Sequence, residues 1–346
     1  MVYSLAGTAH GTYATLKIGV VLPFSGPMEP YGNQMLSGMK LALVDYKQID
    51  PKITEKVKLF YGDDKGLTSE VTSQAKKLIQ NNKVHVLLGS VSNTLSLELA
   101  KMASDYRKPM VSPIAEDSLI TGKSEYVFSS ALSTGSQGAV LATFAKRSLR
   151  KSRAVVVINE ESGFEKTLSD AFQETFRAKG GTILTTISYN DETALETTLS
   201  DIPRLRPDII FFPAPYQRAR QFLYLASKGG IKTPVLGSNA WNSPNFLNSG
   251  DSYINGNYFF TQFAEDDPSP KVRTFSRKFQ TAFKSPPTVH AALGYDAMSM
   301  ILHAFTKADS VRITRILQYR AVTMACSASL KHKRVQCLIN KIGKTL

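Results

Sequence analysis

Hydrophobic and polar positions along this chain follow two alternating periods. Short apolar runs bounded by glycine, proline or aspartate are each followed by stretches in which apolar residues recur every three or four positions. The first pattern is typical of buried strands and the second of amphipathic helices. The predicted strands lie at 16–23, 57–61, 84–89, 109–112, 126–130, 154–159, 182–188, 208–212, 235–237 and 256–260, and the predicted helices at 32–46, 69–81, 92–106, 164–179, 192–202 and 217–228.

This alternation indicates βαβ units and mostly parallel sheets. The pattern falls into two series with a break near 130–138, and 346 residues are too many for one ordinary core. We therefore predict two α/β lobes, each with a doubly wound parallel sheet. Open sheets of this kind bind ligands at the carboxyl ends of their strands, so candidate binding residues lie in the segments that follow each strand.

Composition narrows the possible partners. The chain is 42% hydrophobic and 20% charged, as expected of a globular protein. Its net charge of +14 is concentrated at the C-terminus, because residues 311–346 hold eight lysines and arginines and no acidic residue. The remaining body has only a small basic excess, so we expect no nucleic-acid partner. No apolar run reaches the roughly 18 residues of a membrane-spanning helix, and none is expected.

The residue types needed for catalysis or metal binding are not grouped in this sequence. The two cysteines, Cys326 and Cys337, do not have metal-ligand spacing, and the five histidines are scattered. No phosphate-binding loop, dinucleotide fingerprint or nucleophile elbow is present. Asp63 and Asp64 form an acid pair, but a metal site would need further ligands that are not grouped with them. We therefore expect no enzyme activity, no catalytic residue, no metal and no cofactor.

A family resemblance emerges from segments in a fixed order. The run from Leu16 to Lys40 resembles the start of the extracytoplasmic solute-binding proteins of the branched-chain amino acid (Leu/Ile/Val) ABC transporter family. Seven later segments resemble the same family in order and spacing: Tyr61–Lys65, Ala75–Ser92, Lys108–Ala115, Tyr126–Ser130, Arg206–Phe212, Thr233–Ser238 and Gly294–Ala297. Together they cover about residues 16–307, and this coverage carries the resemblance.

The resemblance implies the type I periplasmic binding protein fold, with two lobes joined by a three-stranded hinge that closes on a ligand. The hinge crossings are expected near 130–133, near 260–263 and past Ile313. Lobe 1 would then comprise residues 16–132 and 262–330, and lobe 2 residues 133–261 and 331–346. Residues 1–15 lack the features of a signal peptide and are expected to be disordered or a leader remnant.

The resemblance also implies a site for a small amino-acid-like ligand, whose α-carboxylate is held by hydroxyls and backbone N–H groups at helix N-termini of lobe 1. Glu116 stands where the family often has a threonine, and Asn239 where leucine-binding members keep a carboxylate for the α-ammonium. The expected ligand-binding residues are Tyr31, Ser90, Ser92, Asn93, Ile114, Ala115 and Glu116 from lobe 1, and Phe164, Tyr216 and Asn239 from lobe 2.

Simpler structural roles are open for several of these residues. Ser90 and Ser92 would also serve as helix caps, and Phe164 as a packing residue. For Asp63 and Asp64 the resemblance implies a strand-end cap or turn. Trp241 is expected to pack within its lobe rather than to stack on a ligand. Because Asn239 has no charge to pair with an ammonium, amides, urea, small carboxylates and aromatic compounds are open as ligands beside amino acids. Glu116 is the alternative source of the missing negative charge.

The function implied is that of a solute-binding receptor of an ABC importer. Its expected partners are a small-molecule ligand and an ABC permease, the expected state is a monomer, and the expected location is periplasmic or extracytoplasmic. The alternative is a ligand-sensing regulatory protein with the same fold, which would bind an amide or another metabolite.

The C-terminal region departs from the family pattern. Residues 311–337 lack the expected F-x-G-x-T-G turn and have no acidic residue. Both cysteines of the chain lie in this segment. We hypothesise a compensated frameshift or sequence error here, with a divergent basic surface hairpin as the alternative. Residues 338–344 again resemble the last strand of the family.

Overall fold

A computed structural model of the protein describes residues 15–116, 124–190, 192–307 and 339–341. The chain forms two compact units. Unit 1 consists of Met1–Ala131 and Pro268–Lys333, and unit 2 of Leu132–Asp267 and Arg334–Leu346. Both units are discontinuous in sequence.

Strands and helices alternate through the described residues. The strands are β1 (Leu16–Leu22), β2 (Val57–Asp63), β3 (Val86–Gly89), β4 (Met110–Ser112), β5 (Val127–Ser129), β6 (Arg153–Ile158), β7 (Thr182–Ser188), β8 (Ile209–Phe211), β9 (Val235–Gly237), β10 (Tyr258–Phe260) and β11 (Ile339–Lys341). The helices are α1 (Glu29–Asp45), α2 (Ile53–Lys56), α3 (Thr68–Gln80), α4 (Asn93–Asp105), α5 (Thr134–Arg147), α6 (Gly163–Ala178), α7 (Glu192–Leu205), α8 (Tyr216–Lys228), α9 (Pro244–Leu247), α10 (Pro270–Phe283) and α11 (Val289–Lys307).

Unit 1 is built on a five-stranded parallel sheet in the order β2-β1-β3-β4-β5. Strand β1 is buried along almost its whole length, as expected of a strand whose two faces are both covered. Helices α1 and α11 pack closely because both have glycine at the contact. A Cβ at Gly38 would overlap the Ala291 carbonyl, and a Cβ at Gly294 would overlap the Met35 carbonyl.

Unit 2 is built on a six-stranded sheet in the order β11-β10-β9-β8-β6-β7. Strands β6 to β10 are parallel, and β11 pairs with β10 in the antiparallel direction. Here Gly138 of α5 allows close packing on α6, since a Cβ would overlap the Leu168 carbonyl. The Phe172 and Phe211 rings stack with centroids 4.1 Å apart inside the same core.

The prediction of two parallel-sheet α/β lobes is confirmed, and all ten predicted strands are present. The first helix was misplaced, because it begins at Glu29 and includes Tyr31 instead of starting at Gly32. Proline is tolerated in a first turn, where the N–H it lacks has no helical partner, and Glu29 there favours the helix dipole. The predicted break at 130–138 contains the start of α5, and α10 and α11 were not predicted.

Other predictions fall on parts of the chain that are not described. The expected leader at residues 1–14, the third hinge crossing past Ile313 and the anomalous segment 311–337 lie outside the described residues. The strand expected within 338–344 is present as β11. The hinge and the residues at which the chain changes lobe stay predictions.

Candidate functional site

The predicted binding residues follow the carboxyl ends of parallel strands in both units. In unit 1, β1 leads to Tyr31, β3 to Ser90, Ser92 and Asn93, and β4 to Ile114, Ala115 and Glu116. In unit 2, β6 leads to Phe164, β8 to Tyr216 and β9 to Asn239. Parallel strands end at one edge of their sheet, so each unit collects its candidates at a single edge.

The loop after β3 places two polar side chains, Ser92 and Asn93, at the N-terminus of α4. The Ser92 hydroxyl oxygen caps this helix by accepting a hydrogen bond from Leu95 N at 3.3 Å. Because the oxygen accepts here, the hydroxyl proton is left for another acceptor. Asn93 is exposed, and its Oδ1 accepts from Glu116 N at 3.3 Å.

The loop after β4 uses its own N–H groups internally. Ser112 Oγ accepts hydrogen bonds from Ile114 N at 3.3 Å and from Ala115 N at 3.0 Å. With Glu116 N bonded to Asn93, three successive donors are committed. Glu116, which ends this described stretch, is buried at 6% exposure.

Ser90 lies beneath these loops. The residue is fully buried, and its hydroxyl donates to Asp64 Oδ2 at 2.7 Å. In this conformation its side chain presents no surface to a ligand. The contacts assign it a supporting role, and direct ligand contact by Ser90 stays a prediction.

Asp63 and Asp64 are adjacent, but their pKa values shift in opposite directions. Burial raises the pKa of Asp63, but hydrogen bonds from the Ser25 hydroxyl and from Phe24 N and Lys65 N outweigh it, so the net shift is downward. For Asp64, burial dominates and raises the pKa against hydrogen bonds from the Ser90 hydroxyl and Gly66 N. The prediction that this pair closes a turn is confirmed by the bonds to the N–H groups two residues on.

Tyr31 lies on α1 and not in a loop. Its ring is 48% exposed and stacks on His290 of α11, with centroids 4.7 Å apart and planes at 26°. Burial lowers the pKa of His290 to about 4, so the imidazole is neutral at pH 7. The stack fixes an exposed aromatic ring at the edge of unit 1.

In unit 2 the aromatic candidates stand at helix starts. Phe164 is the second residue of α6 and is half-buried. Tyr216 is the first residue of α8 and is also half-buried, with its ring 6.3 Å from that of Phe246. Both side chains keep exposed surface at the carboxyl edge of the sheet.

Asn239 begins a short 3-10 turn, Asn239–Trp241, directly after β9 and Ser238. The turn is held by Ser238, whose hydroxyl donates to the Pro213 carbonyl at 2.8 Å. Trp241 is fully buried, and its Nε1 donates to the Ala214 carbonyl at 3.0 Å. The prediction that Trp241 packs within its lobe is confirmed.

A buried carboxyl group in unit 2, that of Glu165, is not among the predicted site residues. Glu165, 3% exposed, accepts hydrogen bonds from Tyr189 OH at 3.0 and 3.1 Å and from Asn159 N at 2.9 Å. Burial raises the pKa of Glu165 and also that of Tyr189. The signal was present, because Ser162 and Glu165 have the spacing of a capping box, and Ser162 Oγ caps α6.

Neither a metal centre nor a membrane span emerges from the part of the chain that the structure describes. Within it, histidine, cysteine and acidic side chains do not form groups of three that would hold a metal ion. The described helices are also too short or too polar to cross a bilayer.

Comparison with known proteins places these features in context. A family model described as periplasmic binding protein matches residues 15–318. A Leu/Ile/Val-binding protein homolog 3 from Brucella melitensis biotype 1 is 24% identical over 309 residues, covering 88% of this chain and 82% of the relative.

Solved structures share the architecture. A leucine binding protein from Thermotoga maritima is 25% identical, with a TM-score of 0.66 over 88% of this chain and 87% of that chain. An ABC transporter solute binding protein from Rhodopseudomonas palustris, in complex with 3,4-dihydroxybenzoic acid, is 21% identical, with a TM-score of 0.65 over 88% of this chain and 84% of that chain. At that identity the second likeness shows the fold alone.

Proposed function

Because this chain belongs to the periplasmic binding protein family, we propose that it is the solute-binding receptor of an ABC importer and captures a small, amino-acid-like ligand. The family match over residues 15–318 carries this proposal. An ABC permease as partner and an extracytoplasmic location belong to the same proposal. The relatives named for leucine, isoleucine and valine support an amino acid as the first ligand to test.

The carboxyl edge of unit 1 favours a ligand with an anionic group. The Ser92 hydroxyl and the Asn93 amide are donors, and both stand at the N-terminus of the 13-residue helix α4. The exposed N–H groups and the dipole of such a terminus stabilise negative charge. A ligand carboxylate placed there would meet donors from the side chains and the helix together.

The loop after β4 favours a donor or a cation on the same ligand. Its N–H groups are committed to Ser112 and Asn93, and the loop carries the carboxyl group of Glu116, which is an acceptor when it is ionised. An ammonium or amide N–H group suits such acceptors. Donors beside α4 and acceptors in the next loop together suit a zwitterion better than a simple carboxylate.

The test is thermal unfolding of the purified chain with L-leucine, L-isoleucine, urea, acetamide and 3,4-dihydroxybenzoate as separate probes. A ligand present at about 100 times its Kd stabilises the native state by about 2.7 kcal/mol. We expect the amino acids to raise the Tm by a few degrees and 3,4-dihydroxybenzoate to have a smaller effect. Glu116→Gln should reduce the amino-acid shift and leave the melt without ligand cooperative.

Two outcomes of this experiment would count against an amino acid as the ligand. A shift with 3,4-dihydroxybenzoate alone would replace the zwitterion by an aromatic carboxylate. A cooperative melt that none of the probes shifts would argue against capture of this ligand class.

A further inference from the structure

A buried hydrogen-bond network begins at Asp64, the residue that follows β2. Asp64 is fully buried. Its Oδ2 accepts from the Ser90 hydroxyl at 2.7 Å, and its Oδ1 accepts from Gly66 N at 2.9 Å. The carboxylate therefore joins the end of β2 to the loop that follows β3.

The network continues through three buried serines. Ser90 N donates to Ser96 Oγ at 3.3 Å, and the Ser96 and Ser112 hydroxyls share a hydrogen bond at 3.0 Å. Ser112 Oγ then accepts from the N–H groups of Ile114 and Ala115. All three serines are fully buried. The ends of β2, β3 and β4 and the first turn of α4 are thus linked by one chain of hydrogen bonds.

This chain of bonds involves residues next to the candidate binding groups in the chain. Ser92 and Asn93 belong to the segment that Ser90 opens, and Glu116 follows the two residues held by Ser112. A buried polar group that loses its partner is costly, so the network is stable only in the arrangement that satisfies every member. That requirement restricts the loop after β3 and the loop after β4 to one geometry.

We propose that Asp64 is a positioning residue for ligand binding, which presets the loops 90–93 and 113–116 through Ser90, Ser96 and Ser112. The inference rests on the proposed function, because it takes these loops to be the ones that contact the ligand. Asp64 itself touches no ligand in this role. It acts by holding the donors beside α4 and the acceptors after β4 in their relative positions before the ligand arrives.

The neighbouring carboxylate provides a matched control. Asp63 accepts from Phe24 N at 2.8 Å, from the Ser25 hydroxyl at 2.6 Å and from Lys65 N at 3.0 Å. It ends the same strand and is well bonded, but it holds the loop after β1. Loss of Asp63 and loss of Asp64 should therefore loosen different loops.

The experiment is hydrogen–deuterium exchange by mass spectrometry on the full chain without ligand, for wild type, Asp64→Ala, Asp64→Asn and Asp63→Ala. We expect Asp64→Ala to speed exchange in peptides covering Ser90 and Ile114–Ala115 about tenfold, since their bonds lie in the network. Asp63→Ala should instead speed exchange at Phe24. Asp64→Asn keeps one acceptor oxygen and should restore part of the protection.

Two exchange patterns would overturn the proposal. One is unchanged exchange after β3 and β4 in Asp64→Ala, and the other is a uniform rise across unit 1, which indicates general destabilisation. If Asp64→Ala does not fold, Ser90→Ala cuts the same link with a smaller change and carries the same expectation.

Affinity for L-leucine by titration calorimetry tests the role in binding. Asp64→Ala should weaken binding about tenfold, and Asp63→Ala much less. Equal losses in both variants would overturn a positioning role. If the expected exchange pattern appears but none of the probes binds wild type, the proposed function has failed and the network has not.

Discussion

The two sheets end in edges of contrasting chemistry. The edge of unit 1 is built from small polar side chains, with Asp64, Ser90, Ser96 and Ser112 all fully buried. The edge of unit 2 is built from aromatic rings: Tyr189 contacts Phe212 at 5.5 Å between centroids, and Trp241 contacts Phe246 at 5.6 Å. One architecture thus supports a directional polar network in one unit and aromatic packing in the other.

This difference shows how the same strand ends can serve two tasks. Hydrogen bonds depend steeply on angle and distance, so the unit 1 edge is suited to orienting donors and acceptors. Aromatic rings contribute large apolar area with few polar demands, so the unit 2 edge is suited to covering a side chain or ring. Both edges also hold buried carboxyl groups, and the described partners of Asp64 and Glu165 are hydroxyls and N–H groups.

The largest loss of stability is expected from removing the Trp241 indole of unit 2. Trp241→Ala should lower the free energy of unfolding by about 3–5 kcal/mol, because a fully buried indole leaves a cavity. Urea unfolding followed by circular dichroism measures the loss. Tyr224→Ala is the control, since that ring is 45% exposed and should cost less than about 1 kcal/mol. Equal losses would show that the unit 2 edge is not held by its aromatic core.

The polar edge of unit 1 should respond by a smaller amount. Ser112→Ala removes the acceptor of Ile114 N and Ala115 N and should cost about 1–3 kcal/mol in the same assay. Ser37→Ala removes a helix hydroxyl whose hydrogen bond among the described residues is to the Asn33 carbonyl, and should change stability by less than about 0.5 kcal/mol. A Ser112→Ala loss as small as the control would argue that the network adds little.

Lowering the pH should affect the stability of the two units differently. All five histidines lie outside residues 132–267. Burial lowers the pKa of His290 to about 4, below the 6.5 or so of an unfolded histidine, so the folded state binds fewer protons between these values. Stability from this group is therefore present above about pH 6.5 and is lost as pH falls toward 4. Glu165 in unit 2 has a raised pKa, so its contribution changes in the opposite direction.

The acid effect is measured on His290→Phe, which keeps a ring against Tyr31 but cannot titrate. Between pH 7 and pH 5 wild type should lose about 2 kcal/mol more than this variant. Wild type must be compared with a variant of His290 because the raised pKa of Asp64, also in unit 1, changes stability with pH in the opposite direction. Fluorescence of Trp241, the single tryptophan, follows unit 2 separately. Identical acid responses of wild type and variant would contradict the lowered pKa of His290.

The smallest effect on stability is expected at the exposed aromatic residue of unit 1. Tyr31→Ala should change the free energy of unfolding by less than about 1 kcal/mol, since the ring is about half exposed. Its effect should be on ligand affinity, measured by calorimetry with any probe that stabilises wild type. A stability loss above about 2 kcal/mol would place Tyr31 among the core residues instead.

Much of the fold was predictable because its signals are local. The run Leu16–Leu22 and the alternation that follows it predict a strand and its neighbours from residues close in sequence. The errors lie where local signals conflict. The predicted helix starts after Pro30, whereas α1 includes Pro30 in its first turn. Glu165 was missed because only its burial beside Tyr189 separates it from an ordinary surface glutamate.

By itself, the sequence determined two α/β units with parallel sheets and the strand ends at which the candidate residues stand. These follow from periodicity and from the fact that parallel strands share one carboxyl edge. Only the tertiary structure decided that Ser90 is buried while Ser92 caps a helix with its proton left to donate. That choice depends on Asp64, 26 residues away from Ser90, because burial and hydrogen-bond direction are set by neighbours that only the folded chain brings together.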